Sequence, residues 1–416
     1  MDRLVIEGGV PLNGEVQISG AKNCTLPLMA ATLIAKGKHC FSNVPRLRDI
    51  RTMQSLLAHM GADSRHDDIL QVDTSDIHTL EAPYDLVKTM RASVLVLGPM
   101  LARYRRARVS LPGGCAIGAR PINLHLKALE QMGVDIDLEH GYVVARAKKL
   151  RGAFISFDQV TVTGTENIMM AACLADGVSV LKNSAREPEV VALADYLNRM
   201  GAHIEGAGTD EISITGVSEL NPSSFEVIPD RIEAGTYLVA AGITGGTLKL
   251  KGCKTEHLDA IIQKLSDAGL SIENKGDCVE VRRKGRIRSV NVETQPFPGF
   301  PTDMQAQFMA LMTLGSGASL IKERIFENRF MHVLELQRMG ADIDLEGRTA
   351  VVRGVKKLYG APVMATDLRA SASLVLGALG AEGVSEITRI YHLDRGYEAI
   401  EKKLSAVGAK IERVNG

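Results

Sequence analysis

Lys22, Arg91 and Arg369 each stand where an apolar run begins to read as a helix. A cation there opposes the positive end of the helix dipole. Three such placements suggest that a bound anion compensates them. The matching positions elsewhere carry Glu166-Asn167, Glu233, Thr302-Asp303 and Asp367, and successive anchors fall 69, 75, 67, 70 and 66 residues apart. Asp or Thr at a helix start is explained by capping alone, yet Asp303 lies among cations and is a candidate general base. Arg120 and Arg395 open a second helix in their segments, and their forked guanidinium groups suit carboxylate or phosphate. Cys115 sits in Leu111-Pro112-Gly113-Gly114-Cys115-Ala116-Ile117-Gly118-Ala119-Arg120-Pro121. Glycines on both sides and a nearby arginine favour a reactive thiolate or a positioned proton donor over a small buried hydrophobe.

These anchors repeat because the chain repeats. The phrase Leu56-Leu57-Ala58-His59-Met60-Gly61-Ala62 returns five times, around Gly133, Gly201, Gly269, Gly340 and Gly408. The glycines are 72, 68, 68, 71 and 68 residues apart, and each fits the left-handed position that ends a helix. Upstream of each lies a helix apolar on all sides: Thr25–Ala35, Ala92–Leu101, Ile168–Ala175, Tyr237–Ile243, Met304–Leu314 and Ala370–Leu379. A helix without a polar face is buried on every face. Each unit therefore reads as strand, buried helix, strand, exposed helix, strand, strand. Six units predict an α/β protein of two domains, three repeats in each, with buried helices at the centre of each domain. After Gly408 one strand lacks its partner. Residues 1–20, with Leu4-Val5-Ile6 and Gly14-Glu15-Val16-Gln17-Ile18, are expected to complete the last repeat. The predicted domains are 21–229, and 230–416 plus 1–20. Two crossings, with breaker residues at Asn221-Pro222-Ser223-Ser224, suit a hinged cleft.

Composition narrows the function classes. In 416 residues, Lys+Arg and Asp+Glu both total 49, so a general polyanion binder or polybasic membrane protein is excluded. Trp is absent and aromatics are 4%, which speaks against a stacking platform for nucleic acid. The six cysteines form no CxxC pair and the ten histidines no HExxH, so neither a metal site nor a disulfide framework is expected. No stretch resembles a signal peptide or a membrane span, and a reducing cytoplasm is the expected location.

Gly20-Ala21-Lys22-Asn23, Pro112–Gly118 with Arg120-Pro121, Pro301-Thr302-Asp303-Met304-Gln305, Phe326-Glu327-Asn328-Arg329-Phe330 and Asp394-Arg395-Gly396-Tyr397 together resemble the UDP-N-acetylglucosamine enolpyruvyl transferases, over essentially the whole chain. The resemblance implies a two-domain inside-out α/β barrel of βαβαββ-type repeats. It implies transfer of the enolpyruvyl group of phosphoenolpyruvate to the 3′-hydroxyl of UDP-N-acetylglucosamine, with phosphate released and no cofactor. That is the first committed step of peptidoglycan synthesis, hence of cell-wall growth and division. By resemblance Cys115 protonates the methylene carbon, forms a covalent adduct with phosphoenolpyruvate and is the target of fosfomycin, while Asp303 is the general base. Lys22, Asn23, Arg120, Arg369 and Arg395 meet phosphoenolpyruvate. Asn23, Arg91, Arg120, Pro121, Ile122, Asn123, Leu124, Asp303 and Ile325 line the nucleotide-sugar site; Asn123 stands where familiar members carry Asp. The partners expected are these two small molecules, with neither nucleic acid nor membrane. The shikimate-pathway transferase shares the architecture but lacks the Gly-Gly-Cys loop. A non-catalytic scaffold on the same repeats would not need Lys22, Asp303 and Arg395 together.

Overall fold

The computed structural model describes residues 2–111, 122–276 and 278–416. It separates into two compact units, one of residues 20–111 with 122–228 and the other of residues 2–19 with 229–416. Each has its own apolar core.

Among the described residues six mostly buried helices occupy the cores and six amphipathic ones lie outside, apart from one short helical turn at Tyr84–Val87. In chain order they are α1 (Lys22–Ala31), α2 (Arg48–Met60), α3 (Leu97–Tyr104), α4 (Asn123–Gln131), α5 (Val162–Ala172) and α6 (Pro188–Arg199) in the first unit. The second has α7 (Arg231–Thr244), α8 (Asp259–Asp267), α9 (Gln305–Met312), α10 (Val333–Arg338), α11 (Ala370–Gly380) and α12 (Ile400–Ala406). The odd-numbered helices are central. All of α9 is buried, as is α11 up to Gly380, and α7, α9 and α11 pack on one another. Ala, Gly and Leu let these backbones approach closely, and the buried Tyr237 and Phe308 add bulk to the same core.

The outer helices stop where the repeated glycines stand. Gly61, Gly133, Gly201, Gly269, Gly340 and Gly408 have φ between 87° and 107°. Past five of them an amide reaches back to a carbonyl of the last turn: Ala62 to Leu57, Val134 to Leu129, Ala202 to Leu197, Ala341 to Leu336 and Ala409 to Leu404. An L side chain at such a φ is strained, so the glycine sets the end of the helix.

Every repeat builds one four-stranded sheet. In the second, Glu81–Ala82 runs parallel to Arg106–Ser110, which pairs antiparallel with Tyr142–Arg146, itself paired with Asp135–Glu139. The other five sheets share this order. Separate sheets around central helices give the inside-out arrangement; the strands do not close into one barrel.

β1 (Arg3–Glu7) lies where the sequence places it, between Val384–Thr388 and Lys410–Val414 in the last repeat's sheet, but two other strands depart from that reading. β2 (Asn13–Gln17), expected beside it, instead runs parallel to Thr247–Lys251 in the fourth repeat's sheet. The leading strand of the first repeat's sheet is β3 (Ser224–Glu226), parallel to Lys38–Ser42, from a stretch the sequence marked only as breakers. The chain changes units at Ser19–Gly20, so a strand ending at Gln17 serves the unit it is leaving. Gly20 is tight there: a Cβ would sit 1.7 Å from the Asn43 carbonyl oxygen.

Candidate functional site

In the unit of residues 20–228, Lys22 is the first residue of α1 and Asn23 the second. Lys22 is buried, with Nζ 3.5 Å from Asp49 Oδ2 on α2, itself buried. The cation at this helix start thus faces a carboxylate of the chain as well as any anion that binds there. Arg91 opens a 3-10 turn, Arg91–Val96, that leads into α3. Ile122 precedes α4 and is buried, Asn123 begins that helix and is exposed, and Leu124 is half-buried. Cys115, Arg120 and Pro121 lie outside the described residues.

The buried Asn167 ties these pieces together. Its Oδ1 accepts the Gly98 amide of α3 at 2.6 Å, and its Nδ2 donates to the Val94 carbonyl at 3.2 Å and to His125 Nδ1 on α4 at 3.0 Å. Burial, with the nearby Arg91 charge, pushes the His125 imidazole down to about 3, so it stays neutral and can accept at Nδ1. Glu166 and Asn167 were expected to open their helix. It starts instead at Val162, where Thr161 Oγ1 accepts from the Gly164 amide, and they fall in its second turn.

In the other unit Asp303 lies on the 3-10 turn Thr302–Met304 that leads into α9. Its Oδ1 is 2.6 Å from an Arg329 Nη and its Oδ2 is 3.4 Å from Arg369 Nε. The side chain keeps 24% of its surface while two guanidinium groups contact its two oxygens. Arg329 also donates to Thr302 Oγ1 at 2.7 Å and lies over the Phe326 ring. Burial alone would lower its pKa, but Asp303 and Asp367 outweigh that and hold it raised.

Arg369 immediately precedes α11, whose start is capped by Asp367 Oδ1, and is only 2% exposed. It reaches Asp230 Oδ2 at 3.5 Å and the Gly396 carbonyl at 3.3 Å. Here too carboxylates of the chain supply the compensation that the sequence argument assigned to a ligand. Arg395 is half-buried at the end of the turn Ile390–Arg395. Its neighbour Asp394 is fixed by two Nη atoms of Arg413, at 2.5 and 3.1 Å. Ile325 is positioned by Glu323, whose buried carboxylate accepts the amides of Ile325 and Phe326 and the hydroxyls of Thr294 and Thr302.

Asp303, Arg369 and Arg329 are therefore in direct contact. Arg329 has no role that the sequence alone displays; its one signal there is an arginine between two phenylalanines, Phe326 and Phe330. Among the described residues no group of His, Cys, Asp and Glu is arranged to hold a metal. No described helix is long and apolar enough to cross a membrane.

Known proteins resemble this chain from end to end. The family model of EPSP synthase (3-phosphoshikimate 1-carboxyvinyltransferase) matches residues 6–404. A UDP-N-acetylglucosamine 1-carboxyvinyltransferase of Trichlorobacter lovleyi is 63% identical over 417 residues, covering 100% of both chains. One of Geobacter metallireducens is 62% identical over 415 residues at the same coverage. Among solved structures, the enolpyruvyl transferase NikO from Streptomyces tendae superposes with a TM-score of 0.91 at 25% identity, covering 100% of this chain and 99% of that one. EPSP synthase from Acinetobacter baumannii gives 0.77 at 17% identity over 100% of both, a likeness of fold.

Proposed function

The chain belongs to the enolpyruvyl transferase family, and on that premise we propose that it transfers the enolpyruvyl group of phosphoenolpyruvate to the 3′-hydroxyl of UDP-N-acetylglucosamine, releasing phosphate. The observation that carries the reading is 63% identity to a transferase of that name with neither chain extending beyond the other. The shikimate alternative has a likeness of fold at 17% identity.

The chemistry is an addition followed by an elimination. A proton from the Cys115 thiol goes to the methylene carbon of phosphoenolpyruvate, and the C=C electron pair takes it up. C2 becomes electrophilic and is attacked by the sugar oxygen. Asp303 takes the hydroxyl proton as general base, with Arg329 and Arg369 holding its carboxylate in place. The tetrahedral ketal then gives a methyl proton back to the Cys115 thiolate and expels phosphate, restoring the C=C bond in the enolpyruvyl group now carried on the sugar oxygen. Cys115 can also add to C2 of phosphoenolpyruvate alone, giving a covalent adduct.

Substrate contacts follow the family motifs. Lys22, Asn23, Arg120, Arg369 and Arg395 hold the phosphate and carboxylate. Asn23, Arg91, Arg120, Pro121, Ile122, Asn123, Leu124, Asp303 and Ile325 face the nucleotide sugar. The roles of peptidoglycan building and a cytoplasmic location go with this substrate pair; the free thiols of the five described cysteines fit a reducing compartment.

Asp303→Asn tests the assignment. It keeps the shape and removes the basicity, so turnover should fall by about 10²–10⁴-fold. Cys115 needs only phosphoenolpyruvate, so the adduct should still appear as a mass increase of the intact protein. Near-normal turnover would remove Asp303 from the base role. Phosphate release with shikimate 3-phosphate as acceptor, and none with UDP-N-acetylglucosamine, would overturn the substrate.

A further inference from the structure

Behind Asp303 lies a chain of buried hydrogen bonds with a single direction. Gln307 Nε2 donates to the Asp303 carbonyl at 2.8 Å and to Tyr397 Oη at 3.0 Å. Tyr397 Oη is 2.9 Å from Thr236 Oγ1 on α7, and Thr236 Oγ1 donates to the Ile232 carbonyl at 2.8 Å. The threonine proton is committed to Ile232, so Tyr397 is the donor to Thr236 and must accept from Gln307. That order fixes the Gln307 amide with its nitrogen toward Asp303. All three side chains are at most 2% exposed.

The same tyrosine serves the other face of Asp303. The Arg369 guanidinium lies 5.3 Å from the centre of the Tyr397 ring and takes the carbonyl of Gly396, the preceding residue. Contacts thus close a ring: Asp303 carboxylate, Arg369, Tyr397, Gln307, Asp303 carbonyl. Gln307 Oε1 is buried with no hydrogen-bond partner among the described residues. A fold selected only for stability would do better with an apolar side chain of this shape, since an unpaired buried acceptor costs free energy. We propose that Gln307 and Tyr397 are positioning residues that fix the orientation of the Asp303 carboxylate for proton abstraction. The proposal rests on the reading of Asp303 as the base.

Gln307→Met and Tyr397→Phe, singly and together, test it in the full chain. Tyr397→Phe removes one oxygen and keeps the ring under Arg369. Since small misplacement of a catalytic group costs up to about 100-fold, each single variant should lose about 10- to 100-fold in kcat with both KM values within about threefold. The Cys115 adduct with phosphoenolpyruvate alone should form as in the parent. Both residues act along one path, so the double variant should be about as slow as the slower single one. A parental kcat in either variant that folds, a change confined to KM, or losses that multiply in the double variant would each overturn the proposal. If Gln307→Met does not fold, by circular dichroism, Tyr397→Phe decides alone. If Asp303→Asn turns over normally, the base reading fails; if it is slow while Gln307→Met is not, only the positioning role fails.

Discussion

Gly98→Ala adds one methyl group where α3 meets α5. A Cβ built on Gly98 lies 2.2 Å from the Asn167 carbonyl oxygen and 2.5 Å from its Oδ1. Ordinary contact needs more than 3 Å, so the two segments must part by roughly 1 Å, and overpacking of this kind costs about 1–3 kcal/mol. The separation also loosens what Asn167 holds: the Gly98 amide, the Val94 carbonyl and His125 Nδ1. Losing one or two such buried bonds costs about 1–3 kcal/mol each. Ala is the better helix former by about 1 kcal/mol, which offsets part of this. The net expectation is a loss of about 2–5 kcal/mol, confined to the unit of residues 20–228. Urea unfolding followed by circular dichroism measures the loss, and hydrogen exchange locates it. His125 sits two residues beyond Asn123, so KM for the nucleotide sugar should rise with it. A variant within about 0.5 kcal/mol of the parent, well inside the margin usual for surface changes, would show that the contact between Gly98 and Asn167 is not tight.

Two more perturbations test buried charge. Burial, then Glu189 and Glu187, pushes the Glu166 carboxyl well above its usual range. A carboxyl raised in the fold costs stability progressively as pH climbs from its unfolded value to its folded value, and the penalty vanishes only below the unfolded value. Glu166→Gln should therefore gain stability over the parent at about pH 9 and lose that advantage near pH 5; an advantage that does not grow with pH refutes the reasoning. Lys403 Nζ contacts Glu233 Oε1 at 2.7 Å, Ser19 Oγ at 2.7 Å and the Gln17 carbonyl at 2.9 Å. Burial raises the Glu233 carboxyl against the pull of Lys403. Lys403→Met leaves that carboxylate without its cation and should cost about 3 kcal/mol in urea unfolding, much of it recovered by adding Glu233→Gln. A double variant no more stable than Lys403→Met alone would sink this account.

What the sequence displays best is what the local chain dictates. Gly61 and its five counterparts were legible because a left-handed helix end wants glycine whatever surrounds it. The central helices were legible because α9 and α11 have no polar face to read otherwise. Strand exchange was not: β3 is three residues long, and only its pairing with Lys38–Ser42, about 180 positions earlier, gives it meaning. Lys22 and Arg369 stood out as cations in the wrong place, but Asp49 and Asp230, which balance them, come from other elements. Arg329, Gln307 and Tyr397 were hidden for the same reason, since each matters through a partner remote in sequence.

The place of β1 carries a consequence for synthesis. As a ribosome delivers this chain, residues 20–228 emerge as one continuous stretch holding all the strands of their three sheets, and that unit can form while the rest is still being made. The unit of residues 229–416 cannot finish in the same way. β1 is among the first segments out, yet both strands it separates come from beyond residue 383, and Glu7 meets Lys410 across 403 positions. For most of translation Leu4 and Ile6, fully buried in the end, have no sheet to enter and leave two strand edges unpaired. Closing so long a loop comes late and slowly. The second unit is therefore the slower to mature and the one that depends on an N-terminal segment kept accessible until the final strand has been made.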